Sequence, residues 1–224
     1  MALFRLGPAN EPANFIRGEG VYLRPPLPQD FVPWAELREK SRTFLVPWEP
    51  TWPVDDLTRS AYRRRLRRQA EEMERDEAFP FFVFRSSDHT LLGGLTLGQI
   101  RRGVSQTGTL GYWMGEAYAG QGYMSRAVRA TLVWAFATLR LHRIEAACLP
   151  HNDRSIRLLE RCGFKREGYA RAYLRINGAW QDHVLFAILD SDPLPEGPET
   201  TIETNSTGRT GKLAQLFAKG YQSH

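Results

Sequence analysis

Two glycines flank a glutamine, Gly120-Gln121-Gly122, where a strand-like run from Gly111 gives way to a helix-forming one. Glycine lets the main chain approach a bound group closely, and the first N–H groups of a helix have no partner of their own. Gln121, Gly122, Tyr123, Met124 and Ser125 therefore form a cradle suited to an anion such as a diphosphate. Further along, Asn152-Asp-Arg-Ser155 opens a short amphipathic helix with Ile156, Leu158 and Leu159 on its apolar side, and Gly163 closes it. Asn and Ser are ordinary helix starters, and both also carry groups able to meet a polar ligand.

Holding these groups in place takes alternating strands and helices. Thr107 to Met114 reads as the strand before the cradle. Met124 to Leu139 reads as the helix after it, with Ala127, Val128, Thr131, Leu132, Ala135 and Phe136 on the apolar side, and Arg143 to Leu149 as the next strand. Upstream, Val21 to Arg24 is a strand and Pro28-Gln-Asp30 starts a helix reaching about Lys40. Phe79 to Phe84 and Leu91 to Leu97 form a strand pair around the polar turn Ser86-Ser-Asp-His89. Phe44 to Pro53 is a proline-broken aromatic loop carrying Trp48, Trp52 and one carboxylate, Glu49. Asp55-Asp56 is expected to cap the helix that follows.

That order of strand, glycine turn, helix, strand and helix, with Asn152-x-x-Ser155 and Gly163-Phe164 behind it, resembles the GNAT family of acetyl-CoA-dependent N-acetyltransferases. In the family's frame Ala119 stands where Gln or Arg is usual and Met124 where a small residue is usual. The Met, together with Glu167-Gly-Tyr-Ala-Arg-Ala-Tyr173 and Asn177-Gly-Ala-Trp-Gln-Asp182-His183-Val184, looks like the RimJ/RimL-like branch, and its RimJ type most of all. The resemblance implies an α+β fold: a mixed, mostly antiparallel twisted sheet of about seven strands, splayed between strands 4 and 5 and flanked by about four helices. Residues 20–190 are then the acetyltransferase domain, 1–19 an N-terminal arm, and 191–224 a flexible tail with a possible short helix at Lys212 to Lys219.

The resemblance also implies direct transfer of acetyl from acetyl-CoA to a primary amine in a ternary complex. Trp113, Met114 and Gly115 would pair their backbone groups with the pantetheine arm, beside the cradle Gly120 to Ser125. Asn152 and Ser155 would lie on the cofactor side, with Ser155 facing the departing thiolate. Tyr173 is a second proton donor by the same resemblance, or else a core aromatic on a strand. Glu49, Glu116 and Asp182 are the carboxylates within reach of the amine, and a water relayed through Glu49 is the expected base. An α-amino group titrates near 7.7–8.0 and a lysine near 10.4, so a modest base suffices for a protein N-terminus. The implied acceptor is such a terminus, for example that of a ribosomal protein.

The chain has 224 residues, 42% of them apolar, enough for one well-buried core. No run approaches the roughly 20 apolar residues that cross a bilayer, so a cytoplasmic protein is expected, monomeric or dimeric. Cys148 and Cys162 read as buried free thiols, and the five histidines show no ligand spacing, so no metal is expected. The net charge of +5 is concentrated at Arg63, Arg64, Arg65, Arg67 and Arg68, a solvated helix face or a weak RNA- or ribosome-binding patch. Two other functions remain open on this reading: acetylation of an aminoglycoside or polyamine, and an RNA-associated assembly factor acting through those arginines. A dinucleotide-binding Rossmann unit fits less well, since Gly120-Gln-Gly122 lacks a third glycine at the required spacing.

Overall fold

The computed structural model describes residues 16–194. Most of the expected N-terminal arm and the tail segment Lys212 to Lys219 lie outside the described residues. Eight strands form one sheet: β1 Ile16–Gly18, β2 Val21–Arg24, β3 Phe79–Arg85, β4 Leu91–Arg101, β5 Thr107–Met114, β6 Arg143–Cys148, β7 Lys165–Ile176 and β8 Ala179–Leu189. Their order is β1-β2-β3-β4-β5-β6-β8-β7. The helices are α1 Phe31–Lys40, the single turn α2 Arg42–Leu45, α3 Arg59–Glu74, α4 Tyr123–Ala137 and α5 Asp153–Arg161.

The run Phe79-Pro-Phe-Phe-Val-Phe84 is buried on both faces of the sheet, which explains why it shows no polar alternation. Phe79, Phe81 and Val83 pack with Leu95, Leu97 and the α4 residues Val128, Leu132 and Trp134. Phe82 and Phe84 pack on the opposite face with Trp34 of α1 and Tyr62 and Leu66 of α3. The sheet therefore separates an α4/α5 face from an α1/α3 face, and each has its own core.

Two expectations are corrected. The eighth strand is β1, which lies inside the segment read as an arm: Gly20, with φ of 67°, turns the chain so that Ile16 pairs with Leu23. The cap of α3 is Thr58, whose Oγ1 accepts from the Ala61 N–H at 3.2 Å. Asp55 and Asp56 instead reach into the helix and pair with Arg64 and Arg65.

The feature that shapes everything downstream is the pairing of β5 with β6, the one parallel contact in the sheet. It covers only Thr107↔Arg143, Gly108↔Ile144 and Thr109↔Glu145. Beyond that point β5 stays paired with β4 as far as Met114, and β6 with β8 as far as Cys148. The two strands thus part, and alternate N–H and C=O groups of Leu110 to Met114 face a gap.

β4 must let β5 come close. A Cβ on Gly93 would collide with the Trp113 carbonyl oxygen, and one on Gly94 with the Trp113 indole nitrogen. Backbone cannot yield as a side-chain tip can, so Gly93→Ala is expected to cost about 1–3 kcal/mol. A urea-unfolding midpoint lowered to match, with an unchanged slope, is the readout.

Candidate active site

The glycine turn and the helix start after it form as the sequence implied. Gly120 and Gly122 have φ of 77° and 78°, Gly122 caps α4 in the left-handed conformation, and no side chain caps that helix. Gln121 Nε2 donates to the Ala117 carbonyl at 2.9 Å and holds the turn. The first intrahelical bond runs from Arg126 N–H to the Gly122 carbonyl, which leaves the N–H groups of Tyr123, Met124 and Ser125 without intrahelical partners. Nothing lies within 4 Å of where a Cβ on Gly120 or Gly122 would stand, so the space over the turn is open. The Met124 side chain is buried in the core, and only its main chain faces the turn.

Where β5 and β6 part, one side-chain contact crosses the gap. Tyr112 Oη and Ser155 Oγ lie 2.6 Å apart. Asn152 caps α5 by accepting the Ser155 N–H on Oδ1 at 3.1 Å, which fixes where that hydroxyl sits. Burial pushes the Tyr112 phenol well above its usual range, so it stays protonated and can donate. Burial likewise pushes the Cys148 thiol, beside Ser155, up to about 11, although the Ser155 hydrogen bond opposes the shift. Cys162, whose Sγ lies 3.6 Å from the Ser125 carbonyl, is also pushed up to about 11 by burial. Both are neutral thiols at pH 7 and poor nucleophiles. Tyr112 escaped sequence reasoning. Its signal was the alternation Leu110, Tyr112, Met114, which puts a phenol on the same face as α5.

The opposite face belongs to Arg38. This residue is 5% exposed. Its guanidinium donates two 2.7 Å bonds to the Glu49 carboxylate, which also accepts from Trp52 Nε1 at 2.7 Å. The guanidinium carbon lies 4.0 Å from the Trp52 ring centre and 4.9 Å from that of Trp113. Glu49 is thus occupied by a buried cation and an indole. It ties the aromatic loop to α1, with both carboxylate oxygens engaged where the sequence expected a base. Trp113 turns its side chain to this face, where it lines a cavity of about 310 Å³ with Arg38, Glu49, Trp52 and Gln69.

Tyr173 sits on β7 and is 46% exposed, at a register shift between Ala170 and Leu174. Asp182 is also occupied: Oδ1 accepts the Ala172 N–H and Oδ2 the Tyr169 hydroxyl, each at 2.7 Å. Those bonds, the Ala172 N–H first, hold its carboxyl below the usual range. Glu116 lies on an exposed 3₁₀ turn. On α3, Arg64, Arg65 and Arg68 are paired with Asp55, Asp56 and Glu72, while Arg63 and Arg67 remain exposed without ion pairs among the described residues. The basic patch is therefore weaker than its sequence suggests.

A splayed parallel pair above a glycine turn that opens a helix defines an acetyl-CoA-dependent N-acetyltransferase. The chain belongs to the GNAT family, since a model described as an acetyltransferase (GNAT) domain matches residues 21–165. A probable N-acetyltransferase of Bacillus subtilis, YjcK, is 39% identical over 79% of this chain and 98% of its own. The [ribosomal protein uS5]-alanine N-acetyltransferase of Escherichia coli is 37% identical over 72% of this chain and 83% of its own. The solved ribosomal-protein-S5-alanine acetyltransferase of Vibrio fischeri superposes with a TM-score of 0.74 at 35% identity, over 80% of this chain and 97% of that one. Mycobacterium smegmatis RimJ, solved with CoA-disulfide, gives 0.74 at 28% identity, over 92% and 93%.

The residues fit acetyl-CoA. The open space over Gly120 and Gly122 and the free N–H groups of the α4 first turn would hold its diphosphate, and the parted backbone of β5 its amide-bearing arm. When bound, the thioester supplies an activated acetyl group and a thiol leaving group. A Cβ at Gly122 would enter that space from a backbone conformation that L-residues avoid at about 1–2 kcal/mol. Gly122→Ala is expected to raise the Kd for CoA at least tenfold by calorimetry. Glu49→Gln, which leaves the Arg38 charge buried without its counter-ion, is expected to cost about 3 kcal/mol in unfolding free energy. The pH dependence of its residual rate should match that of the wild type, since Glu49 holds the loop and not the proton.

Proposed function

We propose that this chain acetylates the N-terminal α-amino group of a protein, with the alanine or serine terminus of a ribosomal protein as acceptor, in the cytoplasm. The observation that carries the reading is that two of the three carboxylates within reach are occupied, Glu49 by Arg38 and Trp52 and Asp182 by the β7 backbone and Tyr169, while Glu116 lies on an exposed turn. A site whose buried carboxylates are engaged suits an amine that is already partly neutral. An α-amine titrates near 7.7–8.0, whereas a lysine needs roughly 2.5 pH units more help, about 3.5 kcal/mol. The likeness to the uS5-alanine enzyme of Escherichia coli points the same way.

Transfer is direct, because the two cysteines of the described core are held as neutral thiols and supply no acyl-accepting nucleophile. Ser155, backed by the protonated Tyr112, donates a proton to the leaving sulfur. Tyr173 belongs to the acceptor side. Along this strand end Gly115 spends its N–H on the Leu92 carbonyl and its carbonyl on the Tyr118 N–H, so the alternate backbone groups of Tyr112 and Met114 hold the acyl donor in line with the amine.

The charges around the acceptor-side cavity cancel in pairs, Arg38 with Glu49 and Arg65 with Asp56. A polycationic amine would be drawn by an excess of carboxylates, which this cavity lacks. The test is a panel of N-terminal peptides, lysine peptides, aminoglycosides and polyamines with acetyl-CoA, read as free thiol. Thiol release is expected with Ala- or Ser-initiated peptides, and Ser155→Ala should lower kcat about 100-fold with CoA affinity intact. Release only with lysine peptides or small polyamines would overturn the assignment.

A further inference from the structure

With Glu49 and Asp182 both engaged, the proton of the attacking amine needs another destination. The sheet pleat shows where it could go. Cys148 of β6 is paired with Val184 of β8, and both side chains lie in the α4/α5 core, on the side of Ser155 and Tyr112. Neighbouring side chains on a strand point to opposite faces. His183 therefore projects to the acceptor face, the same face as Trp113 and the Glu49 loop.

His183 is 2% exposed, one of the few buried polar residues of the fold. Its Nδ1 lies 3.0 Å from the Gln181 carbonyl, an acceptor only, so Nδ1 carries the hydrogen. The other nitrogen, Nε2, is then the basic one, and no bond engages it among the described residues. On this face the flanking β6 and β8 positions are Ala147 and Leu185, which bring no charge.

The opposite strand adds a device. Ala170 pairs with His183, and the ladder resumes only at Leu174↔Gln181, so Arg171, Ala172 and Tyr173 form a bulge. Ala172 has φ of 45°, a left-handed conformation that a non-glycine residue adopts only under constraint. The constraint is Asp182, which binds both the Ala172 N–H and the Tyr169 hydroxyl. Bulges re-aim side chains, and this one places the Tyr173 ring edge-on to His183, with centres 5.7 Å apart. The hairpin end is pinned to the acceptor loop by the Asn177 N–H donating to the Glu49 carbonyl at 2.8 Å.

We propose that His183 is the proton acceptor for the acceptor amine, held by the bulge that Asp182 clamps and Tyr173 caps. The assignment rests on amine acetylation at this cleft. As the amine nitrogen bonds to the acetyl carbon and the C–S bond breaks, the N–H proton passes to His183 Nε2, directly or through one water. The sulfur receives its proton from Ser155 on the other face, and both residues re-equilibrate with solvent. The charged and titratable groups around His183 are Asp182 on its own strand and Arg171 and Tyr173 on β7. On the loop pinned to the hairpin end stands Glu49, neutralised by Arg38.

The test is the pH profile of kcat with saturating peptide and acetyl-CoA. In the wild type, kcat should fall on the acid side with a single protonation that coincides with the His183 imidazole titration read by NMR. That limb should stay in place when the peptide is replaced by one whose α-amine has a different pKa. His183→Asn, which keeps a side-chain donor near the Gln181 carbonyl but no base, should lose about 100-fold or more in kcat and lose the acid limb. Its CoA affinity should be unchanged by calorimetry. A limb that survives in His183→Asn, or that in the wild type tracks the amine or departs from the NMR titration, overturns the proposal. The wild-type comparison decides the matter even if the variant fails to fold. Absence of acetyl transfer to any amine would instead sink the functional reading beneath it, so the two failures are distinct.

Discussion

Main-chain N–H and C=O groups need a hydrogen-bond partner, and β5 beyond Thr109 has no strand partner on one side. The rest of the molecule is organised around that gap. Gly93 and Gly94 allow β5 to stay against β4 while β6 departs, and the continuous ladder from Cys148 to Arg143 keeps β6 with β8. The glycine turn and the uncapped start of α4 lie directly beyond the opening. A ligand with amides in a row and anionic groups at one end completes the hydrogen bonding that the sheet leaves open, which is why acetyl-CoA suits it.

The sheet also divides the chemistry. On the α4/α5 face, Tyr112, Ser155 and Cys148 gather beside the gap, all of them neutral. On the α1/α3 face, Trp52, Trp113 and the Arg38–Glu49 pair build the wall of a cavity. A guanidinium buried between two indoles and held by a two-bonded carboxylate is rigid, and removing either partner strands a charge. The two faces of the sheet thus offer separate environments, joined through the gap between the strands.

The cradle was legible in the chain because a glycine turn and a helix start are local events, fixed within a few residues of Gln121. The N-cap at Asn152 and the stop at Gly163 were legible for the same reason. The engagement of Glu49 was not legible because its partners, Arg38 and Trp52, are chosen by how α1 meets the loop, and no spacing rule announces that meeting. Asp55 and Asp56 were taken for caps when their partners lie one to two turns further into α3. β1 was missed because three residues carry too little pattern, and its pairing depends on the turn at Gly20.

Sequence alone determined the order of elements, the family, the glycine cradle and the Asn152–Ser155 helix start, because each rests on neighbours along the chain. Tertiary structure alone decided that Tyr112 meets Ser155 across 43 positions. It also decided that Trp113 turns to the acceptor face, that two carboxylates are spent on anchoring, and that His183 lies buried beneath Tyr173. Those outcomes follow from strand register and sheet pleat, which set the face of every side chain and are fixed only when distant segments pair.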